Sequence, residues 1–196
     1  MVFFGESTTA HLRARGVLTG GTSTAQVWCD NSGTRTLTSK ITSEPIIYPK
    51  TGELLTVGEA CAREQPAYLV LSFGLNGIMG FVKNPDSYIR CYGKLIDAIK
   101  DASPETKIIL QTVYPILRAD SFSVDADTLN GYIAKLNGLL PTIAAMHENV
   151  RVADTASVLR DSQNRLSPAL ADADGIHLLT PAYQRILLYL RTHAWL

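Results

Sequence analysis

Two kinds of hydrophobic spacing alternate along the chain. Tyr68-Leu-Val-Leu-Ser-Phe73 is a nearly unbroken apolar run, and Lys107-Ile-Ile-Leu-Gln-Thr-Val113 resembles it. Such runs suit central strands of a parallel sheet covered by helices on both faces, where neither side of the strand meets water. Val2-Phe3-Phe4, Ala25-Gln-Val-Trp-Cys29 and Asn149-Val-Arg-Val-Ala153 read as further strands. Between the strands, apolar positions recur at helical spacing. Ile89, Tyr92, Ile96 and Ile99 share one face of a helix with a predicted cap at Asp86, and Ser103-Pro104 ends it. Leu129, Tyr132, Ile133, Leu136 and Leu140 form a second stripe, which Pro141 is expected to kink or interrupt. The last helix is predicted to start with Thr180 as N-cap and Pro181 at its first position, turning Tyr183, Ile186, Leu187, Leu190 and Ala194 to the core. Thr56-Val-Gly-Glu59 is a capping-box pattern and predicts a short helix before the strand at Tyr68.

One stretch breaks the alternation. Pro45 to Thr56 reads as a hairpin turning around Lys50-Thr-Gly52, an insertion that is expected to wall a cleft or form a dimer contact. Alternating strands and helices favour an open, doubly wound α/β sheet. With 196 residues, no repeat and no linker, residues 1–196 are expected to form a single domain.

Composition narrows the functions available. Lysine plus arginine (18) balances aspartate plus glutamate (18), so there is no long-range field to gather a polyanion, and nucleic acid is not expected as a partner. Cys29, Cys61 and Cys91 are widely spaced and odd in number, which suggests buried small hydrophobes rather than a zinc site or a disulfide framework. No apolar run is long enough to span a membrane, and no signal peptide is recognisable. The abrupt opening on a strand suggests a fragment of a secreted or cell-surface bacterial protein.

Three segments fall just beyond the carboxyl ends of predicted strands, where open α/β sheets place their sites. In Gly5-Glu6-Ser7, the glycine can turn the chain off the first strand and leave Ser7 at a helix start, as an N-cap or as a nucleophile. In Gly74-Leu75-Asn76-Gly77, Asn76 is a turn residue or a side-chain donor to an oxyanion. In Asp174-Gly-Ile-His177, the carboxylate can bond one imidazole nitrogen and leave the other to take a proton from Ser7. His11, four residues beyond Ser7, is a rival base, and Asp172 a rival for Asp174; His147 and His193 read as solvent-facing or helix-end residues.

Taken in order, GxS after the first strand, GxN after the third and DxxH before the final helix resemble the SGNH hydrolases, or GDSL esterases, over nearly the whole chain. The resemblance implies a flavodoxin-like three-layer sandwich, with Ser7 as nucleophile, His177 as base, Asp174 as its partner and Asn76 as oxyanion donor. It also implies a glycine N–H in the oxyanion hole. Gly33, after the second strand, is the carry-over, and Gly20 and Gly21 are alternatives. The family usually has Asp where this chain has Glu6, and often Asp where it has Gly77. The implied activity is hydrolysis of small acyl esters, acetyl first, on a small molecule or carbohydrate. Within the sequence itself, Trp28 or Tyr114 near the strand ends are candidates for a sugar platform, and with no metal-binding or dinucleotide motif present no cofactor or metal is expected. A sugar O-acyltransferase or a non-catalytic glycan-binding module are the alternatives.

Overall fold

In the computed structural model, which describes residues 1–33, 35–193 and 195, the apolar runs become β1 (Val2–Gly5), β2 (Val27–Trp28), the hairpin strands β3 (Ile46–Ile47) and β4 (Leu54–Leu55), β5 (Tyr68–Ser72), β6 (Lys107–Gln111) and β7 (Val150–Ala153). Five of them form one parallel sheet in the order β2-β1-β5-β6-β7. The chain winds outward from β1 to β2, then returns past β1 to build the other half. This is the doubly wound, flavodoxin-like order, and its switch point lies between β1 and β5.

Strand alternation sorts the core into two layers. Phe4, Leu69, Leu71, Ile108 and Leu110 pack on one face, and Phe3, Val70 and Ile109 on the other. Helices cover both: α1 (Ser7–Ala14), α2 (Val57–Glu64), α3 (Ile78–Lys83), α4 (Pro85–Ala102), α5 (Ala126–Asn137), α6 (Leu140–Ala145) and α7 (Thr180–His193). Apolar residues of α2 to α6 join the first layer, and those of α1 and α7 join the second. Each large side chain taken from water into such a layer contributes about 1.5–3 kcal/mol.

Several boundaries differ from the sequence expectation, each for a local reason. The cap of α4 is Asn84 rather than Asp86: its side chain accepts from the Ser87 N–H at 3.2 Å, and Pro85 supplies the preset first helical position. β6 ends at Gln111; the Thr112 N–H still donates to Ala153 of β7 at 3.1 Å, and from Val113 onward α5 takes over the hydrogen bonding. Asn137 bonds both the N–H and the C=O of Val113 (2.8 and 3.0 Å), and Asn130 does the same for Ile116 (2.9 Å each). Pro141 does not kink one long helix; it is the second residue of a new one, α6. The box at Thr56 forms as expected, with both reciprocal bonds made. Ala194, expected on the core face of α7, lies outside the described residues, as does Thr34.

The hairpin sits beside the β2 end of the sheet. Its Ile47 N–H donates to the Cys29 carbonyl at 2.9 Å, Tyr48 packs edge-on to Trp28, and the Tyr48 hydroxyl donates to Glu64 of α2 at 2.6 Å. All three cysteines are buried and unbridged.

Candidate active site

The three loops singled out in the sequence converge at the carboxyl edge of the sheet. Gly5 ends β1 and leaves no room for a side chain, since a Cβ there would lie 2.4 Å from the Ser72 carbonyl oxygen and 2.3 Å from Thr9 Oγ1. Glu6 occupies the N-cap position of α1 without capping it, so Ser7 is the first helical residue rather than the cap. Its backbone N–H has no partner within the helix.

Ser7 Oγ lies 2.9 Å from His177 Nε2, and His177 Nδ1 lies 2.5 Å from Asp174 Oδ2. The Asp174 Oδ1 atom accepts from the backbone N–H groups of Ile176 and His177, both at 2.9 Å. Partial burial pushes the Asp174 carboxyl up, but the His177 bond and the two amide donors outweigh it and hold the group at about 2. This tight turn needs Gly175, whose φ is +74° and whose Cβ would meet Arg118 atoms at 2.8 Å. The rival carboxylate, Asp172, is instead engaged by the Arg15 guanidinium.

Asn76 follows β5, and its side-chain amide donates to the Arg35 carbonyl at 3.5 Å. What places this loop is Glu6. Its buried carboxyl accepts from three consecutive backbone N–H groups, Gly74 (2.9 Å), Leu75 (3.1 Å) and Asn76 (3.1 Å), tying the residue next to Ser7 to the asparagine turn. Burial pushes the Glu6 carboxyl up to about 8 against the pull of these donors. Tyr88 and Tyr92 of α4 support the same turn by donating to the Phe73 carbonyl at 2.9 and 3.3 Å.

Parallel pairing of β2 with β1 separates the candidate glycines. Gly33 follows β2 and lies at the edge that carries Ser7, whereas Gly20 and Gly21 precede β2 and so belong to the opposite edge. A Cβ on Gly33 would stand 3.2 Å from the Ala10 side chain, one turn along α1 from Ser7. The Gly33 N–H is turned to Asp30, donating to Oδ1 at 2.9 Å. The hairpin borders a cleft beside this loop, lined by Asp30, Ser32, Arg35, Glu44, Ile47 and Leu54.

Other histidines sit as follows. The His11 ring lies against that of His177, with centroids 4.5 Å apart and planes 32° from parallel. His147 Nδ1 is 3.5 Å from Asp97, and His193 stacks on Tyr189. The expected sugar platform is not available. Trp28 is 1% exposed and Tyr114 is 8% exposed, because both lie within the core layers.

Residues 3–185 match the model of the GDSL-like Lipase/Acylhydrolase family. The chain belongs to that family. Solved structures agree in fold with this GDSL-like hydrolase. A Streptococcus pneumonia protein whose description names platelet activating factor superposes with a TM-score of 0.69 at 18% identity, over 99% of this chain and 83% of the other. A Slackia heliotrinireducens protein whose description names an SGNH hydrolase gives 0.62 at 18% identity, over 96% and 95%. A family 3 carbohydrate esterase from Talaromyces cellulolyticus gives 0.58 at 14% identity, over 97% and 94%. No curated protein sequence matches the chain. Among the described residues of this GDSL-like hydrolase, no helix is long and apolar enough to cross a membrane.

The sequence pattern did not single out the brace made by Glu6 or the contacts of His11 and Arg15. A helical-wheel reading gives one signal for the latter: Ser7 and His11 of α1 and Arg15 at its C-cap recur every four residues and so lie along one side of the helix.

Proposed function

We propose that this GDSL-like hydrolase is a serine carboxylic ester hydrolase that removes small acyl groups, acetyl first, from a carbohydrate ester. The observation that carries this reading is the chain Asp174–His177–Ser7, linked at 2.5 and 2.9 Å. With Nδ1–H held by Asp174, the free His177 Nε2 takes the Ser7 proton as Oγ attacks the ester carbonyl. The oxyanion that forms is received by the Ser7 N–H and the Asn76 amide. Gly33 is the third donor we assign, and its N–H must leave Asp30 to reach the oxyanion. His177 then hands its proton to the leaving alcohol and later draws one from the water that releases the acyl group. Asp174 stays ionised throughout and steadies the imidazolium.

The carbohydrate part of the proposal has two supports. The Talaromyces cellulolyticus and Clostridium thermocellum proteins that share the fold are described as family 3 carbohydrate esterases. The cleft beside Gly33 mixes polar groups (Asp30, Ser32, Arg35, Glu44) with apolar ones (Ile47, Leu54), which suits a sugar with hydroxyl edges and a C–H face.

Hydrolysis of p-nitrophenyl acetate by the wild type and by Ser7→Ala, His177→Ala and Asn76→Ala tests the chemistry. The first two are expected to lose at least about a thousandfold in kcat, and Asn76→Ala about a hundredfold. Equal rates from all four folded proteins would remove the esterase reading. Acetate release from an O-acetylated oligosaccharide tests the substrate; activity on p-nitrophenyl acetate alone would remove only the carbohydrate.

A further inference from the structure

The polar face of α1 is built as a track for the loop that carries the acid and the base. Ser7, His11 and Arg15 stand one above another, four residues apart. Each meets the Asp172–His177 segment at its own level. Ser7 Oγ is 2.9 Å from His177 Nε2, the His11 ring lies against the His177 ring, and the Arg15 guanidinium pairs with Asp172. The middle contact is unusual in its polarity. His11 Nδ1 is buried and has no hydrogen-bond partner among the described residues, so this imidazole presents its face to His177 and leaves a polar nitrogen unsatisfied.

A base held by hydrogen bonds to Ser7 and Asp174 can still librate about its Cβ–Cγ bond, which carries Nε2 off the line to Ser7 Oγ. A ring packed on its face removes that freedom, and offset or tilted pairs at this separation attract. The neighbouring ring also has to be uncharged, because His177 becomes an imidazolium during the reaction. The surroundings of His11 favour its uncharged form. Burial lowers its pKa first of all; His177 and Arg15 lower it further, and Asp172 and Asp174 oppose them.

We propose that His11 is a positioning residue that holds the plane of the His177 ring between Ser7 and Asp174 by packing its own ring against it. The kinetic consequence of this role rests on His177 as the base of the proposed ester hydrolysis, whereas the fixing of the ring plane does not. It assigns no proton transfer to His11 itself.

Four proteins test it: wild type, His11→Ala, His11→Gln and His11→Phe, each compared by p-nitrophenyl acetate kinetics and by the downfield ¹H resonance of the His177 Nδ1–H bonded to Asp174. His11→Ala and His11→Gln, which lack a ring, are expected to lose roughly tenfold or more in kcat while KM changes by less than about twofold, the pattern of a misplaced catalytic group. In both, the downfield resonance broadens or disappears. His11→Phe restores a flat neutral face and is expected to recover most of the rate and the sharp resonance. Unchanged kcat and resonance in His11→Ala and His11→Gln would overturn the proposal. So would a folded His11→Phe that fails as badly as they do, since the ring face would then not be what matters. A wild type without esterase turnover whose resonance is nevertheless lost in the ring-less variants and kept in His11→Phe would uphold the positioning role and sink the esterase reading.

Discussion

At the scale of single residues, the chemistry we propose rests on how Asp174 is held. An ordinary aspartate would share its time between water and the imidazole. Here Oδ1 is fixed by two backbone donors, which leaves Oδ2 aimed at His177 Nδ1. The folded-state pKa of about 2 lies below the ordinary 3.8. The group therefore adds stability that is fully present above about pH 3.8 and is lost as pH falls through about 2. Asp174→Asn is expected to lower the melting temperature at pH 6 and to converge with the wild type near pH 2, as read by thermal melts across that range. Its kcat on p-nitrophenyl acetate should fall by roughly two to four orders of magnitude, because the tautomer of His177 is no longer fixed. That Ser7, Asn76, Asp174 and His177 meet at one edge of the sheet was legible in the sequence because each sits in a short motif with a glycine that makes a turn. The contacts of His11 were not, since a ring tilted against another ring 166 positions away in sequence leaves no local trace.

Among elements, two loops are fastened to each other by one side chain. Glu6 reaches from the end of β1 to three amides after β5, which is a longer reach than the family's usual Asp provides. Its folded-state pKa of about 8 stands above the ordinary 4.5. The folded protein then holds a proton that the unfolded chain releases, so stability falls as pH rises from about 4.5 to about 8 and levels off beyond. Glu6→Gln cannot ionise and should lack that slope, although its amide meets three donors with one acceptor and lowers stability at every pH. Urea midpoints of the two proteins at pH 5 and pH 8.5 check this: a slope equal in both would show that Glu6 is not its source. The existence of the strands was legible in their apolar runs, but their ends were not. Asn130 and Asn137 take over the backbone bonds beyond β6, and in sequence they are only polar positions on an amphipathic helix.

Over the whole molecule, burial and topology decide the rest. The alternation of apolar runs and helical stripes was enough to predict a parallel sheet between two helical layers. The position of β1 inside the sheet rather than at its edge follows from the return of the chain after β2, which no local pattern encodes. That placement sets the GxS and GxN turns side by side at the switch point. The same layers bury Cys29, Cys61 and Cys91. Burial raises the Cys61 thiol to about 12 and pushes Cys29 in the same direction. Native protein is accordingly expected to react slowly with a thiol reagent at pH 8 and to titrate three thiols after unfolding in guanidinium, with a melting temperature unaffected by reductant. Fast titration of the native protein would contradict the packing of both layers. The measurement that bears most directly on the central claim is covalent labelling with a fluorophosphonate, read by intact mass and peptide mapping. The geometry predicts a single adduct on the peptide containing Ser7, much slower in His177→Ala and absent in Ser7→Ala. A wild type that takes up no label, or an adduct that persists on another serine in Ser7→Ala, would contradict Ser7 as the nucleophile.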